Sequence, residues 1–228
     1  MNKKQKGFVI TIDGPAGAGK STIARAVAEQ YQLAYLDTGA MYRSVTCAAI
    51  LYGISEDDEQ ALAGIAQELE PKYFKDRIDY YYRGLNLAPF IRSIAVNDKV
   101  SQVSVHAKVR EALVDIQRQI GQNSPQGVVL EGRDTGSVVF PEAAVKVYLT
   151  ASVAERALRR FREYLDQGQE VELALIEQQI SKRDQIDSSR SISPLVVPDG
   201  ALYIDSTNMQ IAEVVKQIIT AINESRNR

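Results

Sequence analysis

The chain has 228 residues, 45% hydrophobic and 25% charged, with 27 Lys and Arg against 29 Asp and Glu and a formal charge of −2. That is the balance of a soluble globular chain of one to one and a half ordinary domains, long enough to bury a core without a metal or disulfide. Near-neutrality argues against a general nucleic-acid binder, the single cysteine (Cys47) allows no internal disulfide, and the single histidine (His106) leaves no zinc set.

Lys3, Lys4 and Lys6 precede an apolar run, residues 8–12, that is too short for a signal-peptide core and ends at Asp13. No stretch approaches the ~20 apolar residues of a membrane helix. A cytoplasmic protein with no membrane partner is expected. The run 8–12 reads as a buried strand, followed by a Gly-rich turn and a helix over about 20–30 with Ile23, Ala24, Val27 and Ala28 on one face. A second short strand at Tyr35-Leu36 leads into a helix over about 40–52, closed by Gly53, and residues 57–69 repeat the helical spacing. Residues 71–96 interrupt the pattern. Their run Tyr80-Tyr81-Tyr82, bounded by Asp76 and Gly84, predicts a small antiparallel insert whose aromatics pack. Further strands are expected at 128–130, 145–149 and 201–204. Residues 152–187 read as charged helix interrupted near Gly168, with Ser152 and Glu155 spaced as a capping box. Short apolar strands, each followed by a turn and a helix, predict an α/β fold with a doubly wound parallel sheet.

The turn after the first strand is Gly14-Pro15-Ala16-Gly17-Ala18-Gly19-Lys20-Ser21, which matches the phosphate-loop pattern in full and continues into Thr22. Glycines let backbone N–H groups close around phosphates, and the positive end of the following helix adds to the field. In such a loop Lys20 reaches the β- and γ-phosphates of ATP and the Ser21 hydroxyl holds Mg²⁺. The guanine-reading pattern Asn-Lys-x-Asp is missing, since Asn97-Asp98-Lys99 has the wrong order. A small chain with two excursions from its core suggests a small-molecule kinase, with one excursion as acceptor site and the other as lid.

Two stretches fall at strand ends entering turns: Asp37-Thr38-Gly39-Ala40-Met41-Tyr42-Arg43, and Glu131-Gly132-Arg133-Asp134-Thr135-Gly136 running on to Val138-Val139-Phe140-Pro141. In a doubly wound sheet this is the ligand-binding edge. A late segment adds Arg183, Asp187 and Arg190. With the phosphate loop and its preceding Thr11-Ile12-Asp13, these stretches make the chain resemble the bacterial cytidylate kinases from about Val9 to about Val215.

That resemblance implies transfer of the γ-phosphoryl group of ATP to CMP or dCMP, with Mg²⁺. It also implies one kinase unit over 1–228: a core of about 7–37, 120–150 and 195–228, a nucleoside monophosphate region with its insert over about 38–119, and a helical lid over about 152–190. By position it places Thr38, Tyr42 and Arg43 around the acceptor, with Ser101 and Arg110 on the cytosine edge. Arg133, Arg183 and Arg190 fall near the phosphates, Asp187 at the acceptor sugar, and Arg156, Arg159 and Arg160 in the lid. Lys20, Arg133, Asp134, Arg156 and Arg160 form the expected catalytic set, with Asp134 or Glu131 joining Ser21 around the metal. The sequence departs from the family at Glu131, where Asp is frequent, at Thr38, where Ser is common, and at Ala107-Lys108, which replace a proline-containing turn.

Plainer readings stand beside these. Arg156, Arg159 and Arg160 also fit an exposed helical face, Arg159 being four residues from both Glu155 and Glu163. Arg183 beside Asp184 fits a surface ion pair, Arg110 could pair with Glu111, and Tyr42 could be core. His106 and Cys47 read as structural. A kinase of UMP or another metabolite, or a non-catalytic nucleotide-binding regulator, are the alternative functions. Small nucleotides are the expected partners, without nucleic acid, and the expected state is a monomer.

Overall fold

The computed structural model describes residues 8–74, 77–166 and 168–227; Lys3, Lys4, Lys6 and Asp76, named above, lie outside these. In chain order the elements are β1 Val9–Asp13, α1 Lys20–Tyr31, β2 Ala34–Asp37, α2 Thr38–Leu51, α3 Glu59–Gln67, β3 Glu70–Tyr73, β4 Ile78–Tyr82 and β5 Leu85–Asn86. Then come α4 Ile94–Val103, α5 Ala107–Gln122, β6 Val128–Gly132, β7 Val145–Thr150, α6 Val153–Asp166, α7 Leu173–Ser189, β8 Leu202–Asp205 and α8 Ile211–Arg226. A π-helical turn, Thr135–Val139, follows β6. Among the described residues no helix is long and apolar enough to cross a membrane.

Side-chain caps fix several helix starts. Asp37 Oδ1 accepts from the Ala40 amide at 2.9 Å, Asp58 Oδ1 from Ala61 at 3.0 Å, and Ser93 Oγ from Val96 at 3.4 Å. Each satisfies an amide that has no partner inside its helix. The box expected at Ser152 and Glu155 is only half formed. Ser152 Oγ accepts from the Glu155 amide, but the Glu155 carboxylate turns to Arg159 and the Ser152 amide donates to Thr207 Oγ1. A guanidinium one turn along the helix competes for that carboxylate and wins it.

The chain divides into two compact units, one of residues 34–128 and the other of 8–33 with 129–228. In the first, α2 packs against α3, α4, α5 and β4. Strands β3, β4 and β5 form an antiparallel sheet in which Tyr80 pairs with Pro71 and Tyr81 with Glu70. Alternation on β4 buries Tyr80 and Tyr82 and leaves Tyr81 half-buried, with Lys72 over its ring. The sequence reading named neither α4 nor α5. Val109, Leu113, Val114, Gln117 and Ile120 recur on one buried face of α5, a helical period that was there to be read.

In the second unit the strands run in the order β6-β1-β7-β8, with β1 and β8 both parallel to β7. Every residue of β6 is buried, as for an interior strand of a parallel sheet covered on both faces. Helix α1 packs on β1, α8 on β7 and β8, and α1 and α8 on each other. The interrupted helix is α6 and α7, which pack together over Ala157, Ile176 and Ile180. Leu149 of β7 is fully buried in this sheet. Its replacement by Ala is expected to lower unfolding free energy by about 2–5 kcal/mol, read from urea denaturation; a loss under 1 kcal/mol would mean that the sheet core repacks around the cavity.

Candidate active site

The second unit holds the phosphate loop. Strand β1 alternates Ile10 and Ile12 on one face with Thr11 and Asp13 on the other. Asp13 is fully buried, and its carboxylate accepts from the Thr135 amide at 2.8 Å, the Thr135 hydroxyl at 2.7 Å and the Gly136 amide at 2.7 Å. The strand end that launches the loop is thereby tied to the turn that follows Arg133 and Asp134. Burial pushes the Asp13 carboxyl up, opposed by these hydrogen bonds. At Gly14, φ is 152° and an added Cβ would stand 1.9 Å from the Leu149 carbonyl oxygen, so only glycine lets the loop leave β1 here.

Lys20, the first residue of α1, is buried and donates from Nζ to the Pro15 carbonyl at 2.8 Å, across the mouth of its own loop. Burial, then the charge of Arg133, lowers its ammonium to about 7, with Glu131 pulling the other way. Ser21 is half-buried and Thr22 exposed at the same helix start, while Glu131 and Asp134 are buried at the end of β6. Among the described residues no three His, Cys, Asp or Glu cluster as a metal cage. This sparse hydroxyl-and-carboxylate set fits Mg²⁺, which keeps several waters and takes phosphate oxygens as ligands.

Helix α7 carries the late arginines. Arg133 Nε donates to Asp187 Oδ2 at 2.7 Å, while Arg183 lies 3.9 Å and Arg190 4.0 Å from the same carboxylate. Burial raises the Asp187 carboxyl, but the charges of Arg133, Arg183 and Arg190 outweigh it and hold the group below the usual range. Arg183 Nε is buried without a hydrogen-bond partner, and burial with the charge of Arg133 pushes Arg183 down to about 10, still cationic at neutral pH. Arg190, at the end of α7, donates from Nε to the Ser193 carbonyl and lies 3.8 Å from Asp134. Three of the expected arginines therefore converge on one carboxylate, and Asp187, expected at the acceptor sugar, has that carboxylate on Arg133. Asp184 pairs with Arg156 at 2.7 Å rather than with its neighbour Arg183, because adjacent helical residues point about 100° apart.

The three arginines of α6 differ. Arg156 is buried and donates to the carbonyls of Ala151 (2.8 Å) and Ala16 (3.1 Å), so the expectation of an exposed face fails for it. Arg159 bridges Glu155, the Ser206 carbonyl at 2.8 Å and the Ser206 hydroxyl. Arg160 pairs with Glu163 at 2.9 Å near the surface, and its charge reaches Arg183.

The first unit gathers the other expected residues. Thr38 opens α2, and Arg43 donates to the Asn97 amide oxygen and, at 3.4 Å, to the Ile91 carbonyl. Arg110 is buried, stacks over the Tyr42 ring at 5.3 Å and donates to the Ser104 carbonyl at 3.1 Å, so its tie runs to Ser104 and Tyr42. Ser101 is buried on α4. Arg92 pairs with Asp37, the cap of α2, at 3.2 Å. His106 bonds the Glu56 carbonyl at 2.7 Å, and Cys47 is buried, its thiol pushed up by burial; both sit in structural roles.

Asp13, Asn97, Arg92 and Asp184 were missed. Asp13 had a signal, a carboxylate ending an apolar strand directly before the loop. Asn97 had none, because its partner lies 54 residues away.

A family model described as "Cytidylate kinase" matches residues 10–224. The cytidylate kinase of Alkaliphilus oremlandii (strain OhILAs) is 45% identical over 213 residues, covering 93% of this chain and 96% of that protein. The cytidylate kinase of Bacillus subtilis (strain 168) is 40% identical over 222 residues, covering 96% and 98%. Among solved structures, a gluconokinase from Sinorhizobium meliloti 1021 superposes with a TM-score of 0.51 at 14% identity, covering 99% of this chain and 97% of that one, a likeness of fold alone.

Two measurements probe this geometry. Asp13→Asn turns an acceptor oxygen into a donor facing an amide, and is expected to cost about 1–3 kcal/mol of stability in denaturant melts; an unchanged midpoint would show that the clamp contributes nothing. With its ammonium lowered to about 7, Lys20 is largely neutral at pH 8, and a closing triphosphate favours the charged form. ATP binding at pH 8 should then take up more protons in the wild type than in Lys20→Met, by about one per site. Calorimetry in buffers of different ionisation enthalpy reads the difference, and equal uptake in both would place the lysine as charged before nucleotide arrives.

Proposed function

The chain belongs to the cytidylate kinase family, and from that premise we propose how its residues carry out the reaction. It is an enzyme that transfers the γ-phosphoryl group of ATP to CMP or dCMP, giving ADP and CDP or dCDP. The observation that carries the assignment of roles is the gathering of Lys20, Arg133, Arg183 and Arg190 with Asp187 and Asp134 beside the phosphate loop.

The attacking oxygen belongs to a phosphate monoester whose second pKa is about 6, so it is already ionised near neutral pH and needs no general base. The chain's work is to hold donor and acceptor in line and to offset charge on the transferring group. In this reading the phosphate-loop amides and Lys20 hold the donor phosphates, and Arg183, Arg133 and the lid's Arg160 face the transferring group. Arg43 takes the acceptor phosphate, Thr38 and Tyr42 wall its site, and Ser101 with Arg110 reads the cytosine edge, while Arg190 adds charge for the phosphates beside Asp134. Arginine suits the phosphate positions because its fork binds two oxygens and remains charged. Magnesium would be held by Ser21 with Asp134 or Glu131, and would neutralise charge on the donor phosphates. Asp187 orients Arg133, and Arg159 borders the donor site through Ser206 and Ala18. On the same reading the enzyme works as a cytoplasmic monomer.

A coupled assay with ATP, Mg²⁺ and equal concentrations of CMP, dCMP, UMP, AMP and GMP should give the highest turnover with the two cytidine nucleotides. Equal rates across the panel would remove Ser101 and Arg110 from base reading. Lys20→Ala should lower kcat by roughly 10²–10³-fold in a folded protein. Arg110→Met should raise the CMP KM by about 10–100-fold, the worth of a charged hydrogen bond; wild-type CMP kinetics in that variant would take Arg110 out of the site.

A further inference from the structure

The least expected feature of the donor half is the company kept by Arg156. Its guanidinium donates from Nε to the Ala151 carbonyl at 2.8 Å, and Nη1 is shared between the Ala16 carbonyl at 3.1 Å and Asp184 Oδ2 at 2.7 Å. Ala16 belongs to the phosphate loop, Ala151 to the segment entering α6, and Asp184 to α7. The backbone follows the same contact. A Cβ at Gly17 would stand 3.1 Å from both Cβ and the carbonyl oxygen of Arg156, so the first turn of α6 abuts the loop itself. The second oxygen of Asp184, Oδ1, is buried and has no hydrogen-bond partner. Its charge reaches Arg133 and Arg183, supporting both as cations.

We propose that Asp184 is a positioning residue of the donor site. It holds Arg156 in a bridge from α7 to the back of the phosphate loop and so fixes the loop's shape for ATP. Arg156 is then a strut whose donors face protein carbonyls, in contrast to the catalytic role expected from the sequence. The inference rests on the kinase reading above, since it concerns ATP at the same loop. It differs from that reading in locating the effect in donor binding and leaving the transfer step intact. Removing either partner of a buried pair leaves the other charge uncompensated, so the loop should loosen when either residue changes.

The test uses the full-length enzyme with Asp184→Asn and Arg156→Lys. Both variants are expected to raise the ATP KM, and the Kd of a non-hydrolysable ATP analogue, by about tenfold, the size of one lost charged hydrogen bond. Their kcat at saturating ATP and CMP should stay within about threefold and the CMP KM should not move. The double variant should be no worse than the weaker-binding single, because the two residues act as a unit. A large fall in kcat with ATP KM and analogue affinity unchanged would make Arg156 a group acting on the transferring phosphoryl and would overturn the proposal. Wild-type behaviour in both variants would overturn it as well. Arg156→Lys keeps the charge, so analogue binding to it decides the matter if Asp184→Asn does not fold. A wild-type enzyme that binds the analogue but phosphorylates no cytidine nucleotide would sink the kinase reading and leave the binding comparison standing.

Discussion

Guanidinium groups brought together to grip phosphates repel one another, and the repulsion grows as water is removed from around them. The second unit offsets this repulsion chiefly at one carboxylate. Asp187 touches Arg133 directly and lies within 4.0 Å of Arg183 and Arg190. That carboxylate cannot satisfy all three, and although Asp134 lies near Arg190 and Asp184 acts on Arg133 and Arg183, the imbalance is distributed unevenly. For Arg133, burial is outweighed by Asp187 together with Asp184 and Glu131, whereas Arg183 remains a cation that burial and the charge of Arg133 disfavour. A polyanion is drawn most strongly to such a cation, so uneven compensation is a means of aiming a ligand.

The same logic links backbone to chemistry at Asp13. A carboxylate with no exposure could have been held by a cation, but here two amides and a hydroxyl hold it, all from Thr135 and Gly136. Backbone donors cannot rotate away as long side chains can, so the strand end and the turn after β6 keep a fixed spacing. Arg133 and Asp134 inherit that spacing. The first unit works differently, with side chain orienting side chain: Asn97 accepts from Arg43, and Arg110 lies over Tyr42 and reaches the Ser104 carbonyl.

Much of this was legible in the chain. The strands at 8–12, 128–130, 145–149 and 201–204 are near-continuous apolar runs, the mark of a parallel sheet, and they appear as β1, β6, β7 and β8. The loop was legible because glycine, lysine and serine are needed there for reasons that any sequence must obey. Less legible was anything decided by competition between partners. Glu155 could cap Ser152 or pair with Arg159, and Asp184 could face Arg183 or Arg156; spacing permits each, and only packing chooses. The helices α4 and α5 were overlooked beside the tyrosine run, although α5 has a regular buried face. The plainer reading of Arg156 as part of an exposed face fails because a charged side chain on a charged helix looks solvent-facing in sequence, whereas this one is buried at the junction of three segments.

The π turn after β6 has a consequence for how the chain can vary in length. Its Val139 and Phe140 amides bond carbonyls five residues back, those of Asp134 and Thr135, so the turn carries one residue more than an α-helical path would need. Deleting a residue between 135 and 139 would let this segment close as an ordinary helix. Because Asp13 holds Thr135 and Gly136 in place, the change would fall downstream, turning the segment that leads into β7 by about 100°. Insertions and deletions should therefore be selected against here, so that the length of this turn is constrained along with its side chains.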